Sequence, residues 1–209
     1  MGVKLNNDGI DVILFNDTFF PAIDGTIRVV DNYAKTIMKQ GSVLVVAPKF
    51  AKEPTNIEYP VMRTASLRFL MKDFALGIRL FTAKDKKRIK EAHADIYHAH
   101  SPFIIGHFAL REAKRNHVPI VTTFHSKLKD DFYQYTKSKF LTNILMRYIL
   151  RFYNSVDAIW ACSESTAKLL KSYGITKPIT VMENGTDFIY PDDVEGLIAK
   201  TRSNFQINT

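Results

Sequence analysis

The sequence predicts an α/β domain, doubly wound around a mostly parallel, Rossmann-like sheet of about seven strands. Two observations carry that expectation. Short apolar runs rich in β-branched residues recur along the chain, without the strict polar alternation of a half-exposed sheet, as strands buried on both faces require. Between them lie longer segments with a 3.6-residue apolar period, so strand and helix alternate almost throughout. With 209 residues and 46% hydrophobic content, there is enough apolar surface to bury a core.

The elements follow in order. After a polar extension over residues 1–10, DVILFN (11–16) is the first strand. Ile27, Val30, Ala34, Ile37 and Met38 then share one helix face, and Gly41 closes that helix. VLVVAP (43–48), YPVMR (59–63) and DIYHAH (95–100) are the next three strands. Pro119 excludes helix just after Asn116 and His117, so VPIVTTF (118–124) is the fifth. Leu141, Ile144, Leu145, Tyr148, Ile149 and Phe152 form a longer helical stripe. VDAIWAC (156–162) is the sixth strand, and SESTAKLLKSY is a helix capped by Ser163 and ended by Gly174. PITVM (178–182) is the seventh strand.

Composition excludes several classes. Cys162 is the only cysteine, so no internal disulfide framework exists and a reducing compartment is expected. No run approaches the roughly 18 apolar residues of a membrane-spanning helix, and MGVKLNNDGI has neither a signal-peptide core nor, with Asn6, the myristoylation pattern. The expected location is cytoplasmic, with peripheral attachment to the inner face of the cell membrane as an option. The net charge of +8 is concentrated: Arg63 to Glu91 holds nine Lys/Arg against three Asp/Glu. Such a window attracts anionic lipid, nucleic acid or phosphorylated substrate, and charge alone does not choose among them.

In an open parallel sheet, ligands bind beyond the carboxyl ends of the strands. The polar residues there are Asn16, Asp17 and Thr18; His98, His100 and Ser101; Thr123 and His125; Ser163 and Glu164; and Glu183, Asn184 and Gly185. His125 ends an apolar run, which is where a strand leaves the core and opens onto a crevice; an ordinary hydrogen-bonded strand end reads the same way. His98 and His100 share a strand face, but no third ligand or cysteine cluster stands at zinc spacing, so no metal is expected. The G-x-G-x-x-G and P-loop patterns are absent, leaving Gly25, just before the first helix, as the glycine that lets a phosphate approach a helix N-terminus or simply forms a tight turn. No G-x-S-x-G elbow occurs, and Cys162 at a strand end reads as a small buried hydrophobe.

Taken together, FNDTFFPAIDGTIRVVDNYA, DIYHAHSPFIIGHFAL, VPIVTTFHS and FYNSVDAIWACSESTAKLLKSYGITKPITVMENGTDF resemble the amino-terminal half of the family 4 glycosyltransferases, retaining and metal-independent GT-B enzymes, over residues 11–190. The resemblance implies that 11–188 is the acceptor-side member of two facing Rossmann-like domains and that 189–209 is an interdomain linker helix or tail, the second domain being absent. It implies that His125 is the active-site histidine, placed to bond the transferred sugar. Asp24, Gly25 and Thr26 fall on the loop near donor phosphates and acceptor, where many members carry a glycine pair. His100, Ser101, Thr123, Ser163, Glu183, Asn184 and Gly185 complete the implied substrate rim.

The implied reaction moves a hexose from a nucleotide sugar to a lipid or glycan hydroxyl without a cofactor. The Arg/Lys pair and Glu-containing motif that meet the leaving diphosphate belong to the second domain, so this chain alone is expected to be catalytically incomplete. The alternative is a non-catalytic acceptor-binding or docking module that works with a separate donor-binding chain. LRFLMKDFALGIRLF followed by KDKKRIK is basic and amphipathic, which suits an anionic membrane surface through Arg68, Lys72, Arg79, Lys84, Lys86, Lys87, Arg88 and Lys90. The competing reading packs Leu67, Leu70, Phe74, Ile78 and Phe81 on the sheet beneath a solvated charged face. No nucleic-acid reader motif is present, and none of that partner class is expected.

Overall fold

The computed structural model describes residues 9–50, 56–68, 75–77, 81–125, 128–185 and 192–206, with 67, 68 and 75–77 as backbone. The elements are β1 (Asp11–Phe15), α1 (Gly25–Ile37), β2 (Ser42–Pro48), β3 (Val61–Thr64), β4 (Ser66–Arg68), β5 (Ala75–Gly77), α2 (Ala83–Glu91), β6 (Ile96–Ala99), α3 (Ile104–Asn116), β7 (Ile120–Phe124), α4 (Leu128–Thr136), α5 (Lys139–Tyr153), β8 (Ala158–Ala161), α6 (Glu164–Ser172), β9 (Ile179–Val181) and α7 (Val194–Phe205).

Seven strands form one sheet in the order β3-β2-β1-β6-β7-β8-β9, and every pairing is parallel. Both faces are covered, and the alternation along each strand says by what. Val12 and Leu14 of β1, with Val43, Val45 and Ala47 of β2, pack against Ile27, Val30 and Ala34 of α1. Ile13 and Phe15, with Leu44 and Val46, point into the other core, which holds Phe108 of α3, Ile149 and Phe152 of α5 and Leu170 of α6. The seven expected strands are therefore the seven of the sheet.

The chain runs outward from β1 to β3 and then returns to lay β6 on the other side of β1. That reversal opens a crevice between the carboxyl ends of β1 and β6, where the helices on either side diverge. Asn16 and Asp17 follow β1 there, and His100 and Ser101 follow β6.

Two local expectations are revised and one holds. Gly41 does not end α1 by a left-handed turn: the helix ends at Ile37, with Met38 right-handed at its cap. Glycine is needed because a Cβ at position 41 would lie 2.2 Å from the Ile10 carbonyl oxygen. Gly174, by contrast, does adopt φ +89° after α6. The α5 stripe is split: Ile149 and Phe152 are buried with Met146 and Tyr153, whereas Leu141, Ile144, Leu145 and Tyr148 face outward.

The window 63–91 holds two features that its charge hides. Backbone strands β4 and β5 pair as an antiparallel hairpin. Thr82 and Asp85 then form a reciprocal capping box that starts α2. Of the residues expected to pack or to bind anions there, Leu70, Lys72, Phe74, Ile78 and Arg79, and the side chains of Leu67 and Arg68, lie outside the described residues. Phe81 stacks on Phe108 of α3 with ring centroids 3.6 Å apart. Lys84, Lys87, Arg88 and Lys90 are exposed, Lys86 is half-buried, and Lys87 reaches Glu91 at 3.6 Å. No helix among the described residues is long and apolar enough to cross a membrane.

Candidate functional site

The site is assembled from the face of the sheet that α1 covers. His98 and His100 point to that face because β6 turns Tyr97 and Ala99 into the opposite core. Thr123 and Trp160 stand beside them, with β7 pairing β8 at Thr123–Trp160. Tyr33 of α1 closes the group from above, its ring 5.4 Å from His98, 5.5 Å from His100 and 6.2 Å from Trp160. His98 and His100 lie only 3.9 Å apart, centroid to centroid.

Each histidine has a distinct partner. His98 Nε2 and the Thr123 hydroxyl are hydrogen-bonded at 2.7 Å. His100 Nδ1 and His125 Nε2 are bonded at 3.2 Å. The rim thus begins with two fully buried rings and ends with His125, which is only partly covered.

Desolvation decides their charge, since burial penalises an imidazolium that has no anion beside it. His98 is pushed down to about 3 by burial, with the neighbouring His125 adding to the effect. His100 is held well below the usual imidazole range by burial and by His98 and His125. His125 is pushed down to about 4 by burial, opposed by the Asp24 carboxylate. All three rings are neutral near pH 7, so each has one N–H and one bare nitrogen.

Asp24 caps α1, accepting from the Ile27 N–H at 2.8 Å. Because α1 starts after the carboxyl end of β1, the loop at Asp24, Gly25 and Thr26 lies at the same end of the parallel sheet as the histidine that follows β7. A Cβ at Gly25 would meet no atom within 4 Å. No protein contact demands glycine at that first helical residue, where it costs stability relative to alanine.

Not every expected rim residue offers a free group. Ser101 is consumed by structure: its hydroxyl donates to the Asp17 carboxylate at 2.7 Å and accepts from the Asp17 N–H at 2.8 Å. Thr123 is buried with its hydroxyl on His98. Ser163 caps α6, accepting from Thr166 N–H at 3.2 Å. Glu183, Asn184 and Gly185 are exposed after β9, and Gly185 borders a cleft of ≈ 410 Å³ with Val29, Tyr33, Thr36 and Lys39 of α1 and the turn beyond it. Cys162 is half-buried, and its thiol donates to the Phe124 carbonyl, tying the end of β8 to β7 beside His125.

Asp17 is the residue whose role sequence reasoning missed. Its buried carboxylate accepts from the Ile105 N–H at 2.7 Å and the Gly106 N–H at 3.3 Å, besides Ser101. Residue 103, at the N-cap of α3, makes no side-chain cap bond, so Asp17 caps that helix from the next strand over and clamps the crevice. Burial raises its carboxyl above the ordinary range, and the hydrogen bonds to it oppose that rise. Asp17→Ala strands several donors at once, and urea unfolding is expected to show a loss of about 3 kcal/mol, seen as a lower midpoint at unchanged slope.

Two buried polar atoms at this edge, Asn16 Nδ2 and His100 Nε2, have no hydrogen-bond partner among the described residues. Nor do three or more His, Cys, Asp or Glu side chains converge as metal ligands among the described residues.

A parallel sheet with a polar rim at its reversal point defines a Rossmann-like domain. Residues 23–188 match the family described as Glycosyltransferase Family 4, and the chain belongs to that family. It is 25% identical over 177 residues to the alpha-monoglucosyldiacylglycerol synthase of Streptococcus pneumoniae, covering 83% of this chain and 40% of that protein. It is 30% identical over 137 residues to the protein of the same name from Acholeplasma laidlawii, covering 62% of this chain and 32% of the other. The chain therefore spans less than half the length of these curated relatives. In fold it resembles sucrose-phosphate synthase from Thermosynechococcus elongatus, with a TM-score of 0.61 at 13% identity over 95% of this chain and 53% of that one.

Proposed function

We infer that this chain is the acceptor-side half of a retaining glycosyltransferase that moves a glucosyl group from a nucleoside-diphosphate sugar to diacylglycerol. The observation that carries the reading is His125: a neutral ring after β7, bonded to His100 and on the same carboxyl edge as the Asp24–Gly25 loop. The relatives' names support glucose as the sugar and diacylglycerol as the acceptor. No metal or other cofactor is part of the reading.

His125 acts as a hydrogen-bonding group for the transferred sugar rather than as an acid or base. Its proton position follows from its neighbour. A buried bare nitrogen is more readily tolerated than an orphaned buried N–H. His100 therefore leaves Nε2 bare and donates from Nδ1 to His125 Nε2, so that His125 carries its own proton on Nδ1, ready to donate to a sugar oxygen. Gly25 supports the same site, because a position that no protein atom restricts is one where a ligand can require the missing Cβ. Asp24, Thr26, His100, Glu183, Asn184 and Gly185 shape the surrounding rim, and Ser101, Thr123 and Ser163 brace it.

The basic face of α2, with Lys84, Lys86, Lys87, Arg88 and Lys90, supports a peripheral position on an anionic membrane, where the acceptor resides. The test is direct: the whole protein containing this chain is given nucleoside-diphosphate [14C]glucose and diacylglycerol dispersed in detergent. The expected result is label in a glucolipid that α-glucosidase releases. Label that appears only as free glucose, or independently of diacylglycerol, defeats the reading.

A further inference from the structure

We propose that the outward face of α5, with the adjoining basic edge of α3, is a docking surface for an anionic lipid bilayer. This rests on the lipid-acceptor reading above and adds a surface distinct from α2.

Phe140, Leu141, Ile144, Leu145 and Tyr148 are between 37% and 73% exposed, although all are large and apolar. At 100° per residue they fall within one sector of the helix, away from the buried Thr142, Met146, Ile149 and Tyr153; Phe152, one turn beyond Tyr148 in the same sector, is buried and ends the stripe. Arg147 and Arg151 lie along one margin of that sector. Scattered surface leucines need no explanation, but a contiguous apolar stripe of this kind marks an interaction site.

Charge identifies the occupant. Residues 132–156 contain Lys137, Lys139, Arg147 and Arg151 and no Asp or Glu. Neighbouring elements add to the same sign: Arg111 and Lys114 are exposed on α3. Glu112 is buried and paired with Arg115 at 2.7 Å. Asp130 and Asp131 of α4 offset part of the positive charge without reversing it, since residues 129–156 hold five Lys/Arg against these two acids. A shallow cleft of ≈ 230 Å³ between Ile104, Leu110 and Arg111 of α3 and Tyr148 of α5 extends the stripe toward α3. Apolar groups flanked by cations are what a headgroup–acyl boundary of anionic lipid takes up.

The placement also serves transfer. α5 has 15 residues, about 22 Å at helical rise. It feeds β8 at the amino edge of a sheet whose strand β7 has five residues, about 17 Å. The first turns of α5, with Phe140, Leu141 and Ile144, therefore stand at or above the edge that carries His125. A bilayer seated on them brings its surface toward the crevice.

The experiment uses the whole protein with phosphatidylcholine vesicles, with and without phosphatidylglycerol. Phe140→Trp and Leu145→Trp serve as reporters against bromine-labelled acyl chains, with the signal of Trp160 as background. Expected are quenching and a blue shift of both reporters on anionic vesicles. The triple variant Leu141→Ser, Ile144→Ser, Leu145→Ser should partition onto them about tenfold less or weaker still, with transfer to detergent-dispersed acceptor unchanged. The proposal is overturned if the protein binds vesicles while both reporters stay unquenched. It is equally overturned if the reporters are already shielded before vesicles are added, by the rest of the protein or by a second copy in a dimer that the serine variant dissolves. Quenching without any glucolipid formation would defeat the transferase reading and leave this surface standing.

Discussion

His125→Ala is expected to lower glucosyl transfer by the whole protein about 10²-fold, the order of loss that follows when a reacting group is no longer held in its productive position. The loss should fall on kcat more than on KM, because the bond holds the sugar in the orientation from which its leaving group departs, and that positioning is realised in the transition state. His125→Asn, which keeps a donor near Nδ1, is expected to recover part of the rate. Burial holds the ring down to about 4, so it stays neutral from pH 6 to 8 and adds no ionisation near 6.5 to the rate profile. Turnover close to that of the unaltered protein would remove His125 from the reaction.

The second large effect concerns stability. His98 and His100 are neutral in the fold well below the pH at which an unfolded imidazole, at about 6.5, gains a proton. A depressed folded value means full stability above about pH 6.5 and progressive loss as pH falls toward the folded values, since only the unfolded chain binds the protons. The groups facing these rings are Tyr33, Thr123, Trp160 and His125, with Asp24 acting on His125, and none supplies an anion to His98 or His100. Two such rings give a stability difference on the order of 4 kcal/mol between pH 7.5 and pH 5. Asp17 works in the opposite sense, because its raised carboxyl is favoured in the fold as pH falls. Urea unfolding across that range should show a falling midpoint, and a flat one would mean that the rings are hydrated or paired.

These effects arise from features that the sequence exposes to different degrees. Strand positions were legible because burial on both faces forces continuous apolar runs, and DVILFN or VPIVTTF has few other places to go. The helix stops at Asn116 and Gly174 were legible for an equally local reason, proline chemistry in one case and a left-handed backbone in the other. The rim residues could be named because a parallel sheet binds at its carboxyl ends.

Which of those residues present a free group was not legible. Ser101 and Thr123 look like substrate contacts in the sequence, yet both hydroxyls are occupied by partners 84 and 25 residues away. The capping of α3 by Asp17 spans 88 residues and leaves no local signature. The α5 pattern was ambiguous for a similar reason: a helix apolar over most of its circumference does not say which sector meets the sheet.

By itself the sequence determined the order of strands and helices, the polar edge and the family, since each depends on interactions within a few residues or on a pattern repeated along the chain. Only the tertiary structure decided that His98, His100 and His125 form one neutral cluster, that Asp17 holds the crevice closed at its base, and that four of the six α5 stripe residues are left outside. Those outcomes depend on which groups lose water to one another when the sheet assembles, and desolvation is a property of the packed molecule rather than of any stretch of chain.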